Sequence, residues 1–180
     1  MRVITGKAKG VQLATPDGML TRPTSDRVKE ALFSIVQFEL PGAKILDLFG
    51  GTGQLGIEAL SRGASAAVFV DSREEACKLI RENLRRTKFE NECKVIRSDY
   101  LEYLKRCKEQ FDIVLLDPPY AEVFLENALK MLTEIDILQS GGIIIAERPV
   151  GKDLPWDFDG FTRSRDYKYG KTLITLYRKD

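Results

Sequence analysis

The chain has 180 residues, of which 43% are hydrophobic and 31% charged, a composition typical of a globular protein of one domain. It contains no histidine, which excludes Ser-His-Asp and Cys-His nucleophile systems and a histidine general base. Its three cysteines form no CxxC pair, so we expect no disulfide framework, no metal site and a reducing, cytoplasmic location. We also expect no secretory signal and no membrane span.

The first 40 residues predict a small extension ahead of the main domain. Val3-Ile4 and Val11–Leu13 flank a glycine-rich turn, which predicts a short β-hairpin over residues 2–14. Pro16 to Pro23 is a predicted loop. A helix is then expected from N-cap candidates at 24–26 to about Phe38.

From residue 41, compact apolar runs alternate with helical patterns. The runs predict strands at 45–49, 66–70, 93–96, 111–116 and 142–147, with helices at 53–62, 99–106 and 123–132 and another capped by Ser72. This βαβ spacing predicts a Rossmann-like α/β fold, a mostly parallel sheet with helices on both faces.

The alternation stops after Pro149. Residues 149–160 predict a loop, and residues 161–178 predict a C-terminal antiparallel hairpin around Gly170. We therefore expect a single domain over residues 1–180, with 1–40 as the N-terminal hairpin and helix extension and 41–180 as the cofactor-binding and catalytic core.

A glycine motif lies between the first predicted strand of the core and its helix. Gly51-Thr-Gly53-Gln-Leu-Gly56 matches G-x-G-x-x-G, and Asp71 stands 20 residues after Gly51 at the end of the next strand. Glycines let the backbone approach a ligand, and a carboxylate accepts hydrogen bonds from ribose hydroxyls. The motif predicts a nucleoside cofactor, with tight strand–helix packing as the alternative.

Three features argue against NAD as that cofactor. The chain leaves little length for a substrate domain, it has no histidine to carry a proton, and Asp47 just before the loop would repel a pyrophosphate. A carboxylate there suits a cationic, amine-bearing ligand such as S-adenosylmethionine. Asp99, after the third strand, adds a polar group where an adenine edge would lie; a plain helix N-cap is the alternative, and the two roles are compatible.

The tetrapeptide Asp117-Pro118-Pro119-Tyr120 follows the fourth strand. Two prolines remove two backbone donors and fix two φ angles, which leaves the Asp117 carboxylate and the Pro118 carbonyl as acceptors beside an aromatic ring. This arrangement predicts a receptor for a planar group that bears an NH₂. A rigid turn that ends the strand is the alternative.

The order of these motifs resembles the class I S-adenosylmethionine-dependent methyltransferases that act on exocyclic amino groups of bases. The stretch Arg22-Pro-Thr-Ser-Asp-Arg-Val-Lys-Glu-Ala-Leu-Phe33, the basic N-terminal hairpin and the chain length narrow the resemblance to the RsmD-type bacterial rRNA methyltransferases. The resemblance covers essentially the whole chain. It implies methylation of guanine N2 in small-subunit (16S) rRNA.

The resemblance also implies the site residues. It places catalysis at Asp117, Pro118, Pro119 and Tyr120, with Tyr120 stacking on a flipped base. It places the cofactor at Asp47, Phe49, Gly50, Gly51, Thr52, Gly53, Asp71, Ser72, Asp99 and Tyr100.

Both ends of the chain are basic although the total charge is only +1: residues 1–40 carry a net charge of +2, residues 161–180 a net of +4 and the middle a net of −5. We expect the ends to bind RNA phosphates away from the glycine loop, with solvated side chains as the alternative. The predicted substrate contacts are Arg2, Lys7, Lys9, Arg22, Thr24 and Arg27, joined by Arg163, Arg165 and Lys168.

Two other functions remain open from the sequence. A DNA adenine-N6 methyltransferase shares every motif, although such enzymes usually need a target-recognition domain for which this chain has no insertion. A non-catalytic nucleotide- or RNA-binding module is the second alternative, and the combination of an intact Asp-Pro-Pro-Tyr turn with a cofactor loop argues against it.

Overall fold

The computed structural model describes residues 1–16, 26–119, 122–151, 153–154 and 157–180. The helices are α1 (Asp26–Ile35), α2 (Gln54–Ser61), α3 (Glu74–Thr87), α4 (Tyr100–Arg106) and α5 (Glu122–Glu134). The strands are β1 (Lys44–Asp47), β2 (Ala66–Asp71), β3 (Cys93–Arg97), β4 (Phe111–Leu116), β5 (Leu138–Pro149), β6 (Asp157–Phe158), β7 (Phe161–Arg163), β8 (Tyr167–Tyr169) and β9 (Thr172–Lys179).

These strands form one sheet in the order β3-β2-β1-β4-β5-β9-β7-β6, and β8 pairs with β9 outside this path. The pairs among β1 to β5 are parallel, whereas β9 pairs antiparallel with β5, β7 and β8. The predicted Rossmann-like fold is confirmed. The strand order reverses between β1 and β4, and ligands bind at such a switch point in open α/β sheets, outside the carboxyl ends of the strands.

Side chains alternate between two apolar clusters, one on each face of the sheet. Ile45 of β1 faces the cluster that packs α1, α2, α3 and the N-terminal segment, while Leu46 faces the cluster that packs α4 and α5. Because both faces are covered, the inner strands β1, β2 and β4 are almost entirely buried, whereas the edge strand β3 keeps Lys94 and Arg97 exposed.

Several predicted elements have different bounds. Helix α1 ends at Ile35 rather than near Phe38, and β5 begins at Leu138, four residues before the predicted start. The predicted N-terminal hairpin is an antiparallel pairing with one isolated bridge, Arg2 to Gln12. The predicted C-terminal hairpin is present as β8 and β9, but Phe161–Arg163 forms a further strand that pairs with β9.

The prediction that Ser72 caps α3 is wrong. The helix begins at Glu74 after Arg73, which makes no side-chain cap, and Asp71 instead accepts a hydrogen bond from the Arg73 backbone N–H at 2.9 Å. The N-cap candidates Thr24 and Ser25 lie outside the described residues. Within the described part of the chain, no helix has the length and apolarity that crossing a membrane requires.

Candidate active site

The glycine loop between β1 and α2 is a tight turn whose shape depends on glycine. Gly51 and Gly53 have φ angles of 57° and 80°, in the left-handed region that side chains other than glycine rarely adopt. A Cβ on Gly50 would lie 2.8 Å from Cδ1 of Ile80. The loop therefore packs tightly, as one of the two explanations for the motif requires, and its role in binding a cofactor stays a prediction.

Asp71 connects the end of β2 to this loop. Its Oδ2 accepts a hydrogen bond from the Gly51 N–H at 3.0 Å, and its Oδ1 accepts from the Arg73 guanidinium at 3.1 Å. The residue is only 8% exposed, whereas Ser72 beside it is exposed. The carboxylate accepts four hydrogen bonds in all, from the Gly51 N–H and from the backbone N–H and two guanidinium nitrogens of Arg73, and these fill its roughly four lone-pair sites. Because the Arg73 side chain is 59% exposed, ribose hydroxyls would bind Asp71 by displacing that guanidinium.

Asp47 is buried at the end of β1, with 2% of its surface exposed. Its Oδ2 accepts a hydrogen bond from the Gly56 N–H at 3.1 Å, which fixes the first turn of α2. Burial raises the pKa of Asp47 to about 8; the Gly56 hydrogen bond opposes this rise, and the neighbouring Asp117 and Asp71 add to it. Without a cation beside it, Asp47 is therefore mostly protonated at neutral pH.

Asp99 is the N-cap of α4, as one of its two predicted roles required. Its Oδ1 accepts hydrogen bonds from the N–H groups of Leu101 and Glu102, at 2.9 and 3.2 Å. The residue remains exposed, so the second role, next to an adenine edge, stays a prediction.

Tyr100 and Phe49, both predicted near the cofactor, lie side by side with ring centroids 5.0 Å apart. Phe124 of α5 completes the group, 5.7 Å from Tyr100 and 6.4 Å from Phe49. Burial raises the pKa of Tyr100, so its hydroxyl stays protonated. Phe124 could not be predicted from the sequence, because an aromatic residue on an amphipathic helix gives no signal that distinguishes the wall of a site from a core position.

The Asp-Pro-Pro turn follows β4, the strand next to β1. Asp117 and Pro118 are half-buried and Pro119 is exposed, while Tyr120 lies outside the described residues. Asp117 is close enough to Asp47 to raise the pKa of that residue. The fold thus brings Asp47, Asp71 and Asp117 to one edge of the sheet, on three neighbouring strands.

The predicted RNA contacts fall into different environments. Lys7, Lys9 and Arg27 are exposed, whereas the exposed Arg2 is paired with Asp26 at 3.2 Å. Arg22 and Thr24 lie outside the described residues. The prediction for Arg163 is wrong, because its side chain is only 3% exposed and binds Asp166 at 2.8 Å, so it is unavailable to a phosphate.

Buried polar residues that the sequence analysis missed attach the N-terminal segment, residues 1–16, to the core. Glu58, fully buried in α2, accepts hydrogen bonds from the N–H groups of Ile4 and Thr5, at 2.8 and 3.0 Å. Lys29 of α1 is buried beside it and donates to the Arg2 carbonyl at 2.7 Å. Desolvation lowers the pKa of Lys29, and the negative charge of Glu58 opposes that change. The sequence signal that could have indicated this buried role is the position of Glu58 inside an otherwise largely apolar helix.

The strand order, the glycine loop and the acids at the carboxyl edge define a class I methyltransferase fold. The family model described as "Conserved hypothetical protein 95" matches residues 1–178, and the chain belongs to this family. The resemblance predicted from the sequence is therefore confirmed, and with it the prediction of a methyltransferase.

Individual relatives agree with the family match. The chain is 37% identical over 99% of its length to "Putative rRNA methyltransferase YlbH" of Bacillus subtilis, of which it covers 99%. It is 31% identical over its whole length to "Ribosomal RNA small subunit methyltransferase D" of Escherichia coli K12, of which it covers 90%. A solved structure of Escherichia coli yhhF, described as a "putative methyltransferase", superposes with a TM-score of 0.91 at 29% identity, over 100% of this chain and 98% of that one.

Proposed function

We propose that this chain transfers a methyl group from S-adenosylmethionine to the exocyclic N2 amine of a guanine in small-subunit ribosomal RNA, in the cytoplasm. The relatives named as small-subunit rRNA methyltransferases support the RNA substrate. The observation that carries the proposal is the adjacency of Asp47 and Asp71, beside the glycine loop, to Asp117, which directly follows the neighbouring strand β4. A cofactor loop and an amine receptor thus share one edge of the sheet.

The residues around the glycine loop fit S-adenosylmethionine by their chemistry. The half-buried backbone of Gly51 carries no side chain that would keep a ligand away, and Asp71 can accept from ribose hydroxyls once they displace the exposed Arg73 guanidinium. Asp47 lies where a cationic amine would restore its charge. When bound, the cofactor supplies an electrophilic methyl group, so the absence of histidine from the chain is no obstacle.

At the amine, the residues of the turn act chiefly by positioning. The Asp117 carboxylate and the Pro118 carbonyl each accept a hydrogen bond from one N–H of the target amine, which directs the nitrogen lone pair toward the methyl carbon. Transfer of the methyl group would leave one surplus proton on the nitrogen, and Asp117 would accept that proton or pass it to water. Tyr120 is proposed to stack on the flipped base.

The proposed RNA footprint includes the exposed cations of the N-terminal segment and α1. Lys7, Lys9 and Arg27 are exposed, and Arg2 shares its charge with Asp26. Arg165 and Lys168 extend the footprint at the other end of the chain, while Arg22 and Thr24 are proposed from the sequence alone. Phosphate contacts of this kind release counterions, so affinity for RNA should fall steeply as salt rises.

A methyl-transfer assay with tritiated S-adenosylmethionine tests the proposal. The purified protein is offered 16S rRNA, intact small subunits and duplex DNA, and the modified nucleosides are identified by mass spectrometry. We expect label in one or both ribosomal samples as N2-methylguanosine. Label that appears only in DNA as N6-methyladenine would replace the proposal with the DNA enzyme. Binding of NAD without binding of S-adenosylmethionine would overturn the cofactor assignment.

A further inference from the structure

Asn83 of α3 lies between the N-terminal segment and the glycine loop. The residue is completely buried. Its Oδ1 accepts a hydrogen bond from the Ala14 N–H at 2.6 Å, and its Nδ2 donates to the Ala14 carbonyl at 3.1 Å and to the Thr52 carbonyl at 2.8 Å. One amide group therefore bonds both the end of the N-terminal segment and the centre of the Gly51-Thr52-Gly53 turn.

A second contact joins the same two parts of the molecule. The Thr52 hydroxyl donates a hydrogen bond to the Met1 sulfur at 3.4 Å. The N-terminal segment is held in place elsewhere as well, since Val3, Ala8 and Leu13 are buried in the core and Ser61 of α2 accepts a hydrogen bond from the Ala8 N–H at 2.9 Å. The segment therefore packs firmly against the glycine loop, while the expectation that its cations bind RNA phosphates away from the loop stays a prediction.

We infer that Asn83 is a positioning residue for the cofactor, which makes the N-terminal segment a structural part of the cofactor site. A glycine-rich turn has few side chains with which to hold its shape, and glycine loses more conformational freedom on ordering than any other residue. An external donor to the Thr52 carbonyl removes part of that freedom before a ligand arrives, which raises affinity by preorganisation. The inference rests on the proposed function, since it concerns the same cofactor.

The test compares two substitutions of Asn83 with a matched control. Asn83→Ala removes all three hydrogen bonds. Asn83→Leu has the same branched shape and also removes all three hydrogen bonds, but it leaves no cavity, so it serves if the alanine variant does not fold. Thr87→Val is the control, because Thr87 is buried one turn later on α3 and its hydroxyl donates only to carbonyls of its own helix, those of Asn83 and Leu84.

The measurements are the dissociation constant of S-adenosylhomocysteine by calorimetry, the KM and kcat of methyl transfer with intact small subunits, and the melting temperature. We expect both Asn83 variants to weaken S-adenosylhomocysteine binding about tenfold and to raise the KM for S-adenosylmethionine by a similar factor, because a buried carbonyl loses its partner. We expect a small change in kcat, and in Thr87→Val a change below about twofold in affinity, whatever its melting temperature.

Unchanged affinity in a folded Asn83 variant, or an equal loss in Thr87→Val, would overturn the inference while leaving the proposed function intact. A fall in kcat with an unchanged KM would also overturn it, since positioning the cofactor acts on binding. If the wild-type protein failed to bind S-adenosylhomocysteine at all, the proposed function itself would fail, and this inference with it.

Discussion

Around the glycine loop, Asp47 and Asp71 are covered and hydrogen-bonded to the main chain, whereas Asp117 and Pro118 lie half-exposed at the end of β4. The two halves of the candidate site are thus built differently. In the cofactor half, the proposed binding groups also hold the loop and α2 in place. In the half proposed for the target base, the prolines supply rigidity through their own rings, and Asp117 follows a strand whose pairing does not depend on its side chain.

This difference predicts how function and stability separate. A substitution in the base-binding half should lower activity and leave the fold intact. A substitution in the cofactor half, or among the buried polar residues Glu58, Lys29 and Asn83 behind it, should change both activity and stability. The N-terminal segment belongs with the cofactor half, because its backbone donates to Glu58 and Asn83. A deletion of residues 1–12 would expose the core and remove the contacts with Glu58, so it cannot isolate the contribution of the segment to RNA binding.

The largest expected effect is on the base-binding half. Asp117→Ala should lower kcat by about a hundredfold or more, because the variant loses an acceptor for the target amine and a route for its proton. Methyl transfer to small subunits measures the loss. The melting temperature and the affinity for S-adenosylhomocysteine should stay near wild type. Normal turnover by this variant would mean that the turn is only a rigid strand ending.

The next effect is on the stability of the protein, through the buried Glu58 that attaches the N-terminal segment to the core. Glu58→Gln should destabilise the protein by about 3–5 kcal/mol, because it leaves the buried Lys29 without its neighbouring negative charge and weakens the pairing with Arg62 at 2.9 Å. Denaturant unfolding measures the change. Glu102→Gln is the control, since its pairs with Lys105 and Arg106 are exposed and should contribute less than about 1 kcal/mol. Equal losses of stability in the two variants would mean that the buried pairs of Glu58 contribute no more than the exposed pairs of Glu102.

A smaller effect is expected where binding and loop structure overlap. Asp71→Ala should weaken S-adenosylhomocysteine binding by roughly 10- to 150-fold, through loss of a charge-assisted hydrogen bond to the ligand and of the acceptor for the Gly51 N–H. Asp71→Asn keeps a neutral acceptor and should bind more tightly than the alanine variant. Calorimetry tests both. Wild-type affinity in Asp71→Ala would place the ribose elsewhere.

The smallest effect is a pH dependence, and it decides what Asp47 does. Its pKa is raised from 3.8 to about 8 in the folded protein, so the unliganded site holds a proton at neutral pH. If a cationic amine of the cofactor binds beside Asp47, that proton is released, and affinity should rise between pH 6 and 8 by up to about tenfold per pH unit. Calorimetry in two buffers of different ionisation enthalpy measures how many protons are released when the cofactor binds. If Asp47 only fixes Gly56, affinity stays flat across this range.

The same raised pKa predicts the sign of a stability effect. The folded protein binds the Asp47 proton more tightly than the unfolded chain does, so the contribution of Asp47 to stability is present at low pH and is lost as the pH rises from about 4 to 8. Asp47→Asn keeps an acceptor for the Gly56 N–H and removes the buried charge. We expect this variant to melt higher than wild type by at least about 2–4 °C at pH 8, with the difference shrinking as the pH falls and vanishing below about pH 4, where Asp47 is protonated in both the folded and the unfolded chain. A melting temperature below that of wild type at pH 8 would mean that burying the ionised Asp47 carboxylate does not destabilise the fold.

Local patterns of the sequence determined much of this protein. The apolar runs predicted five parallel strands, with β4 at its observed bounds, because strands buried on both faces leave a continuous hydrophobic signal. The glycine spacing and the acids at strand ends predicted that the glycine loop and these acids lie together, since carboxyl ends of parallel strands meet at one edge. The N-cap role of Asp99 also followed from local chemistry, because a cap bonds to its own helix.

Only the tertiary structure decided the environment of the charged and polar residues. Arg163 and Lys7 are both cations near an end of the sequence, yet Arg163 is buried against Asp166 and Lys7 is exposed. Nothing near Asn83 or Glu58 indicates that their partners are backbone groups 69 and 54 residues away. Burial and long-range hydrogen bonds depend on which elements pack together, and sequence periodicity reports which face of an element is apolar but not which distant segment covers it.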